Sequence, residues 1–330
     1  FLAVPVSSWG RIYYAATLQS YPSIQIISNS ENNGVIIAPR FRGDPRPVLN
    51  YGNANYGSAG NLSIILDKWS AFDVSECSGE SAGQASMTGT LIVGQKAIGV
   101  ISGNCRTITQ TSDCKSGAQQ LGKTSDIVVE MLLPVESFGT EFIIVHVERK
   151  EKGLVMIVAA EPKTHVNISQ NYTVKTVHYE NAGDWTMDLV MDANRMLVSN
   201  KRIQVLMVMR SACYESNGFV EEQGDPGMSL VIPNTLFYVK YAWRVPKTRF
   251  NHYVIIVALK DHIENIELNT RPLPSSFKRH DVLGSSKFQV VTILSIEKKH
   301  NVTSKDDQPF GCYLMGMAPK RQYLRPAGFR

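Results

Sequence analysis

No run in this 330-residue chain approaches the length that a membrane-spanning helix requires, which is about 20 consecutive apolar residues. The longest apolar runs, Leu154–Ala160 and Tyr253–Leu259, have the length of buried strands. An apolar period of 3.6 residues is nowhere sustained for long, which excludes helical bundles and coiled coils. Charge is neither abundant nor segregated: 34 Lys and Arg stand against 29 Asp and Glu, and no block of like charge occurs. A nucleic-acid groove concentrates cations along one stripe, and none is present. The basic end (Lys320, Arg321, Arg325, Arg330) reads as a solvated tail. Cysteine is scarce, with five residues and no Cys-x-x-Cys or His-x-x-x-His spacing, so neither structural zinc nor a disulfide-dense scaffold is expected. The seven histidines (His146, His165, His178, His252, His262, His280, His300) show no metal or triad spacing, and no cofactor motif is found. The chain opens at Phe1 without a charged segment leading into an apolar one, as a processed or trimmed N-terminus would.

What is present is β structure. Short runs rich in Val, Ile, Tyr and Phe recur throughout, punctuated by Gly, Pro, Asn and Asp. The predicted strands are Arg11–Leu18, Ser23–Ser28, Val35–Ala38, Leu62–Leu66, Thr90–Val93 and Ala97–Ser102. Phe142–Glu148, Leu154–Ala160, Thr164–Ile168, Ile203–Met209 and Ser229–Ile232 follow, then Leu236–Trp243, Tyr253–Leu259 and Phe288–Ile296. Ser125–Leu133 alone reads as a short helix, capped by Ser125 or Asp126. Hydrophobic content of 43% supports real cores, and the class is all-β, antiparallel and sandwich-like.

An internal repeat organises these strands. Pro5-Val-Ser-Ser-Trp9-Gly10 matches Pro134-Val-Glu-Ser-Phe138-Gly139, and in each case a strand follows an aromatic–Gly corner. Ser23–Ser28 with Asn33–Ile37 parallels Leu154–Ala159 with Thr164–Ile168, and Lys96–Gly103 parallels Arg202–Met209. Val245-Pro-Lys-Thr-Arg-Phe250-Asn-His-Tyr253 reads as a degraded third copy. The expected units are 1–133, 134–245 and 246–330.

Two features suggest the secretory route. Four acceptor sequons begin at Asn61, Asn167, Asn171 and Asn301. Cys105 and Cys114 bracket a polar stretch, Arg106–Asp113, where a loop disulfide is the favoured pairing over two buried thiols. Cys77, Cys213 and Cys312 then allow one further bridge or an interchain bond.

Other motifs weigh less. Gly79-Glu80-Ser81-Ala82-Gly83 spells a nucleophile elbow, but it lacks the strand before and helix after that expose such a serine. Arg42-Gly43-Asp44 is an adhesion tripeptide in a Pro-rich loop, with Pro45 holding Asp44 extended. Asp225-Pro226-Gly227 reads as a turn, and Lys305-Asp-Asp-Gln as a hydrophilic loop with too few oxygens for calcium. Trp9, Trp69, Trp185 and Trp243 are expected to fill β cores.

Taken in order, several segments resemble the IgGFc-binding protein N-terminal domain family. They are Pro5–Tyr14, Thr88-Gly-Thr-Leu-Ile-Val with Lys96–Gly103, Glu130-Met-Leu-Leu-Pro134-Val-Glu-Ser-Phe-Gly139, and Phe310-Gly-Cys-Tyr-Leu-Met-Gly with Tyr323 and Pro326-Ala-Gly328. Cys105 and Cys114 match that family's cysteine pair, whereas Cys77, Cys213 and Cys312 depart from its pattern. The resemblance implies an extracellular, non-catalytic domain, often set beside von Willebrand-type D domains in mucus-associated proteins. The expected function is a secreted glycoprotein module that binds proteins or glycans in mucus, matrix or humoral defence. The alternative is a structural subunit of a filament or coat, assembled by strand pairing or an interchain disulfide. An esterase-like hydrolase ranks third.

Overall fold

The computed structural model describes residues 1–330 apart from 43–48, 52–53, 58–59, 78–84, 108, 110–124, 147–152, 211, 217–218, 246–249, 275–276, 296–298 and 320. Among the described residues every pair of strands is antiparallel, and the strands fall into three sets of nine. The first set is β1 (Gly10–Tyr14), β2 (Pro22–Ser28), β3 (Asn33–Ala38), β4 (Leu49–Tyr51), β5 (Ala54–Tyr56), β6 (Leu62–Leu66), β7 (Ala71–Ser75), β8 (Leu91–Thr107) and β9 (Asp126–Met131). The second is β10 (Gly139–Ile144), β11 (Gly153–Ala159), β12 (Thr164–Ser169), β13 (Val174–Tyr179), β14 (Trp185–Met191), β15 (Arg195–Met209), β16 (Ala212–Ser216), β17 (Phe219–Gln223) and β18 (Gly227–Leu230). The third is β19 (Lys240–Arg244), β20 (Asn251–Leu259), β21 (Ile266–Leu268), β22 (Arg271–Pro272), β23 (Lys278–Val282), β24 (Ser285–Ser295), β25 (Lys299–Ser304), β26 (Gly311–Ala318) and β27 (Arg321–Pro326).

The first two sets share one topology, β6-β3-β8-β2-β7 against β13-β12-β15-β11-β14. One long strand joins two four-stranded layers in each. The first half of β8 pairs with β1 and β3, and its second half with β2 and β9. β15 does the same with β10 and β12, then with β11 and β18. In β8 the change of layer falls at Gly94–Ala97, where the buried Asn33 side chain accepts the Lys96 N–H and donates to the Lys96 and Ala97 carbonyls. The Thr90–Val93 and Ala97–Ser102 runs are therefore one bent strand, a β-bulge in effect. In the third set the long strand is broken into β25 and β26. β25 pairs with β19 and β21, and β26 with β20 and β27, so the layers become separate sheets.

Each set begins at the same corner. Val6–Ser8, Val135–Ser137 and Asn234–Leu236 are single 3-10 turns, each preceded by an extended proline and followed by an extended aromatic residue. Proline suits this place because its φ is already set and no N–H is lost from a ladder. In the first set the Tyr13 hydroxyl accepts the Gly10 N–H at 3.0 Å and donates to the Ile98 carbonyl at 2.7 Å. In the third, the Tyr241 hydroxyl accepts the Tyr238 N–H at 2.8 Å and donates to the Phe310 carbonyl at 2.5 Å. Phe142 holds the matching place in the second set.

The third corner is thus Pro233–Phe237, ahead of the Val245–Phe250 segment that the sequence comparison selects. Tyr238 stands where the first two corners have glycine, and there the need for glycine is spatial. A side chain on Gly10 would collide with Pro134, and one on Gly139 with Pro233. Gly10 and Gly139 each receive the proline of the next corner.

The inner layers meet in a common core. Val155–Ala159, Ile203–Met209 and Val254–Ala258 are buried residue after residue, so both faces of β11, β15 and β20 are covered. Strands buried on both faces read as continuous apolar runs rather than alternating ones. One cluster of buried apolar residues links all three sets, and a second lies within the third set. Ser125–Leu133, read above as a helix, supplies β9 instead. Its Ile127, Val128 and Val129 are β-branched, and pairing with β8 overrides the weak capping signal.

Cys105 is bonded to Cys77 and not to Cys114, which lies outside the described residues. Cys77 follows β7 and Cys105 lies in β8, on the two sides of β2. The Glu76 N–H donates to the Pro22 carbonyl and the Cys105 N–H to the Tyr21 carbonyl, at the point where β2 begins. The flanking strands close up there, to 5.6 Å between Cα atoms. Closing a span of 28 residues stabilises by about 3–4 kcal/mol on the chain-entropy model. Cys312 is a buried thiol inside the second cluster, not a surface cysteine free to bond another chain. Cys213 lies in β16 opposite Glu222.

Gly139→Ala should lose about 1–3 kcal/mol in urea denaturation through overpacking against Pro233, while Gly57→Ala, which meets nothing within 4 Å, should lose little. Peptide mapping without reduction should recover Cys77 joined to Cys105.

Candidate interaction surface

The outer layer of the first set, β1–β8–β3–β6, carries an exposed apolar row. Register pairs Ile12 with Val93, Val93 with Ile36, and Ile36 with Ser63. Ile12 is 37% exposed, Ile36 46%, and Ile65 on the β6 edge 71%. Inward neighbours Tyr13, Ile37, Leu62 and Ile64 are buried in the core, as strand alternation requires. The row borders a shallow groove of about 290 Å³ lined by Arg11, Ile36, Ile65, Val93, Gly94 and Gln95.

The same row can be read off the other two sets by register. In the second it is Glu141–Val198–Asn167, ending at Thr176. In the third it is Lys240–Thr303–Glu267. Charged or amide side chains stand where the first set has Ile12 and Ile36. Only the first row is apolar, a difference that single-sequence reading misses because it needs register in all three copies.

Carboxyl groups occupy the seams between sets. Glu130 on β9 is fully buried, and its carboxylate accepts the Leu230 N–H of the second set and the Leu2 N–H, both at 3.3 Å. Burial pushes its carboxyl up to about 7. Asp225, read above as a turn residue, is 8% exposed. It accepts the Gln322 N–H of β27 at 2.6 Å and lies beside Asp126 of β9. Burial first, and then the neighbouring Asp126 charge, push it up to about 7. Asp225 and Asp126 share a cleft of about 420 Å³ with Phe250, Arg321 and Tyr323. Arg321 and Arg325 therefore belong to β27 and are not a free tail, while Lys320 lies outside the described residues.

A carboxyl whose folded value exceeds its unfolded one keeps its proton in the folded state where the unfolded chain has lost it. Stability from such groups is full at pH below about 4 and falls as pH rises through about 7. Asp184 shifts the other way. Its own burial would raise it, but the Asn181 N–H and the Arg40 guanidinium 2.5 Å away outweigh that and hold it low. Its contribution is lost only in acid, as pH falls through that lowered value. The denaturation midpoint should therefore drop between pH 5 and 8, and Glu130→Gln should reduce that drop. An unchanged slope in the variant would show that Glu130 stays ionised when folded.

The remaining sequence candidates are dispersed. Asn61 is exposed just before β6, Asn167 is exposed on β12 with Thr176 donating to its side chain at 2.8 Å, and Asn171 is exposed in the β12–β13 turn. Asn301 on β25 is half-buried. Of the adhesion tripeptide only Arg42 is described, its guanidinium 4.9 Å from the Trp185 ring centre. Gly43 and Asp44 lie outside the described residues, as does all of Gly79–Gly83 with Ser81. Trp243 is buried, and Trp9 and Trp185 pack against the core, but Trp69 is 66% exposed at a positive φ in the β6–β7 turn. The loop around Lys305 holds a clamp that the sequence did not reveal. The Asp306 carboxylate accepts from His262 Nδ1, Asn265 and Ser304, each at 2.6 Å, which holds it well below the usual range. Ser304 bonds the carboxylate and not the imidazole, so these three side chains lack the serine-to-histidine contact that nucleophilic catalysis uses. Among the described residues no helix is long and apolar enough to cross a membrane, and no cluster of three metal-ligating side chains forms.

The model of the family described as IgGFc binding protein matches residues 1–316. The chain belongs to that family. Neither the curated proteins nor the solved structures contain a match. Membership in the IgGFc binding protein family marks the chain as a binding module with protein partners, and an apolar row on a rigid sheet is the type of surface such a module needs.

Proposed function

We propose that this chain is a secreted, non-enzymatic glycoprotein module of mucus, matrix or humoral defence, and that it recognises a partner protein through the Ile12–Val93–Ile36 row. One observation carries this reading: Ile12 and Ile36 are apolar in the first set, and charged or amide residues hold those two positions in the other two. A folded protein keeps an exposed apolar patch at some cost in solubility, and such patches mark contact sites. The sequons favour the secretory route: Asn61, Asn167 and Asn171 are exposed, and sugar there would stay in water. The Cys77–Cys105 bond is consistent with an oxidising compartment.

The IgGFc binding name makes immunoglobulin Fc the first partner to try. Transplanting the second set's residues, Ile12→Glu with Ile36→Asn, should leave circular dichroism unchanged, since both side chains are exposed. Binding to immobilised Fc should weaken at least about tenfold, or about 1.4 kcal/mol. Equal binding by variant and parent would place recognition elsewhere.

A further inference from the structure

The three sets end their outer layers in three equivalent edge strands: β6 on β3, β13 on β12, and β22 on β21. An edge strand offers unpaired N–H and C=O groups, and proteins protect such edges with charge, proline or shortness. β22 has all three, being the two residues Arg271–Pro272. β13 carries Lys175, and the sequon Asn171 stands in the turn that leads into it. β6 has no charge or proline and runs for five residues, although the sequon Asn61 stands immediately before it. Its sequence, Leu62-Ser63-Ile64-Ile65-Leu66, is uncharged and free of proline, and no strand among the described residues pairs with its outer edge.

We propose that β6 pairs antiparallel with β6 of a second copy of this chain, joining two outer layers into one sheet across a twofold axis. The strand is complementary to itself about Ile64. That register sets Ser63 opposite Ile65 of the second copy and Leu62 opposite Leu66, so inward residues stay inward and outward ones outward. The row Ile12–Val93–Ile36–Ser63 then continues into Ile65 of the second copy, and the two Ile65 side chains, 71% exposed in one chain, become diagonal neighbours across the seam. No like charges oppose each other, because Asp67 meets the second copy's Asn61 and Lys68 meets its Gly60. A closed twofold pair leaves no free β6 edge behind. The inference goes beyond the proposed recognition role and does not depend on which protein the row binds.

Sedimentation velocity on the full chain tests it, in a series rising to about 100 µM, where weak pairs are populated. The parent should pass from monomer to dimer, and Ile65→Lys should remain monomeric with unchanged circular dichroism, since the side chain is exposed. Register is tested by mixing Ser63→Cys with Ile65→Cys under mild oxidation. Crosslinks should form in the mixture and far less in either variant alone. Ser63→Cys also removes the Asn61 sequon, so Ser63→Ala, which should dimerise like the parent, is its control. A parent that is monomeric throughout, an Ile65→Lys variant that dimerises equally, or a Ser63→Cys variant that crosslinks to itself as fast as the mixture would each overturn the proposal. Fc binding reports on the row and sedimentation on the edge, so the failure of one is distinguishable from the failure of the other.

Discussion

A glycine with no room for a side chain, set against the proline of the following repeat, is the contact that the rest of the molecule depends on. At Gly10 and Gly139 the backbone of one corner lies directly on Pro134 and Pro233 of the next. That approach fixes where each repeat begins relative to its predecessor. It also brings the inner layers together, so that β11, β15 and β20 bury both faces rather than one. A repeat of this kind cannot cover its own apolar surface, and stacking does it instead, as in other repeat architectures. The seam is completed by polar groups whose partners lie in a neighbouring set: Glu130 on Leu230, Asp225 on Gln322, and Arg40 on Asp184.

Repetition also makes the candidate interaction surface visible. Three copies of one layer supply two internal controls for any exposed residue, because the fold imposes the same position on each. Ile12 and Ile36 are not demanded by the architecture, since Glu141 and Asn167, or Lys240 and Glu267, occupy those places without disturbing the ladders. What the architecture does demand recurs: the proline before each corner turn and the aromatic residue after it. Family membership assigns binding to the chain as a whole, and the contrast between copies is what singles out one face as the candidate surface.

Much of this was legible in the residues, and the failures have physical causes. Corners and strands are local features, so the Pro5 and Pro134 motifs and most β runs were found where they lie. The third corner is missed because Tyr238 stands where the motif has glycine. The Cys105 pairing went astray because proximity in sequence favoured Cys114, while the start of β2 brings Cys77 alongside. Ser125–Leu133 reads as a helix because a short apolar run with a polar start fits both periods. Asp225 looked like a turn residue, and its burial depends on β27 arriving from nearly a hundred residues away. The apolar row had no signature at all, because Ile12 and Ile36 are ordinary strand residues until register shows which way they face.

If stacking of the corners holds the molecule together, the three sets should unfold as one. Hydrogen exchange of the full chain in rising denaturant, followed by mass spectrometry of peptides from β2, β11 and β20, measures this directly. The account predicts that all three lose protection in a single step at the same denaturant concentration. Loss of protection in β20 at clearly lower denaturant than in β2 and β11 would contradict it, because the third set would then be an independent body that happens to lie alongside.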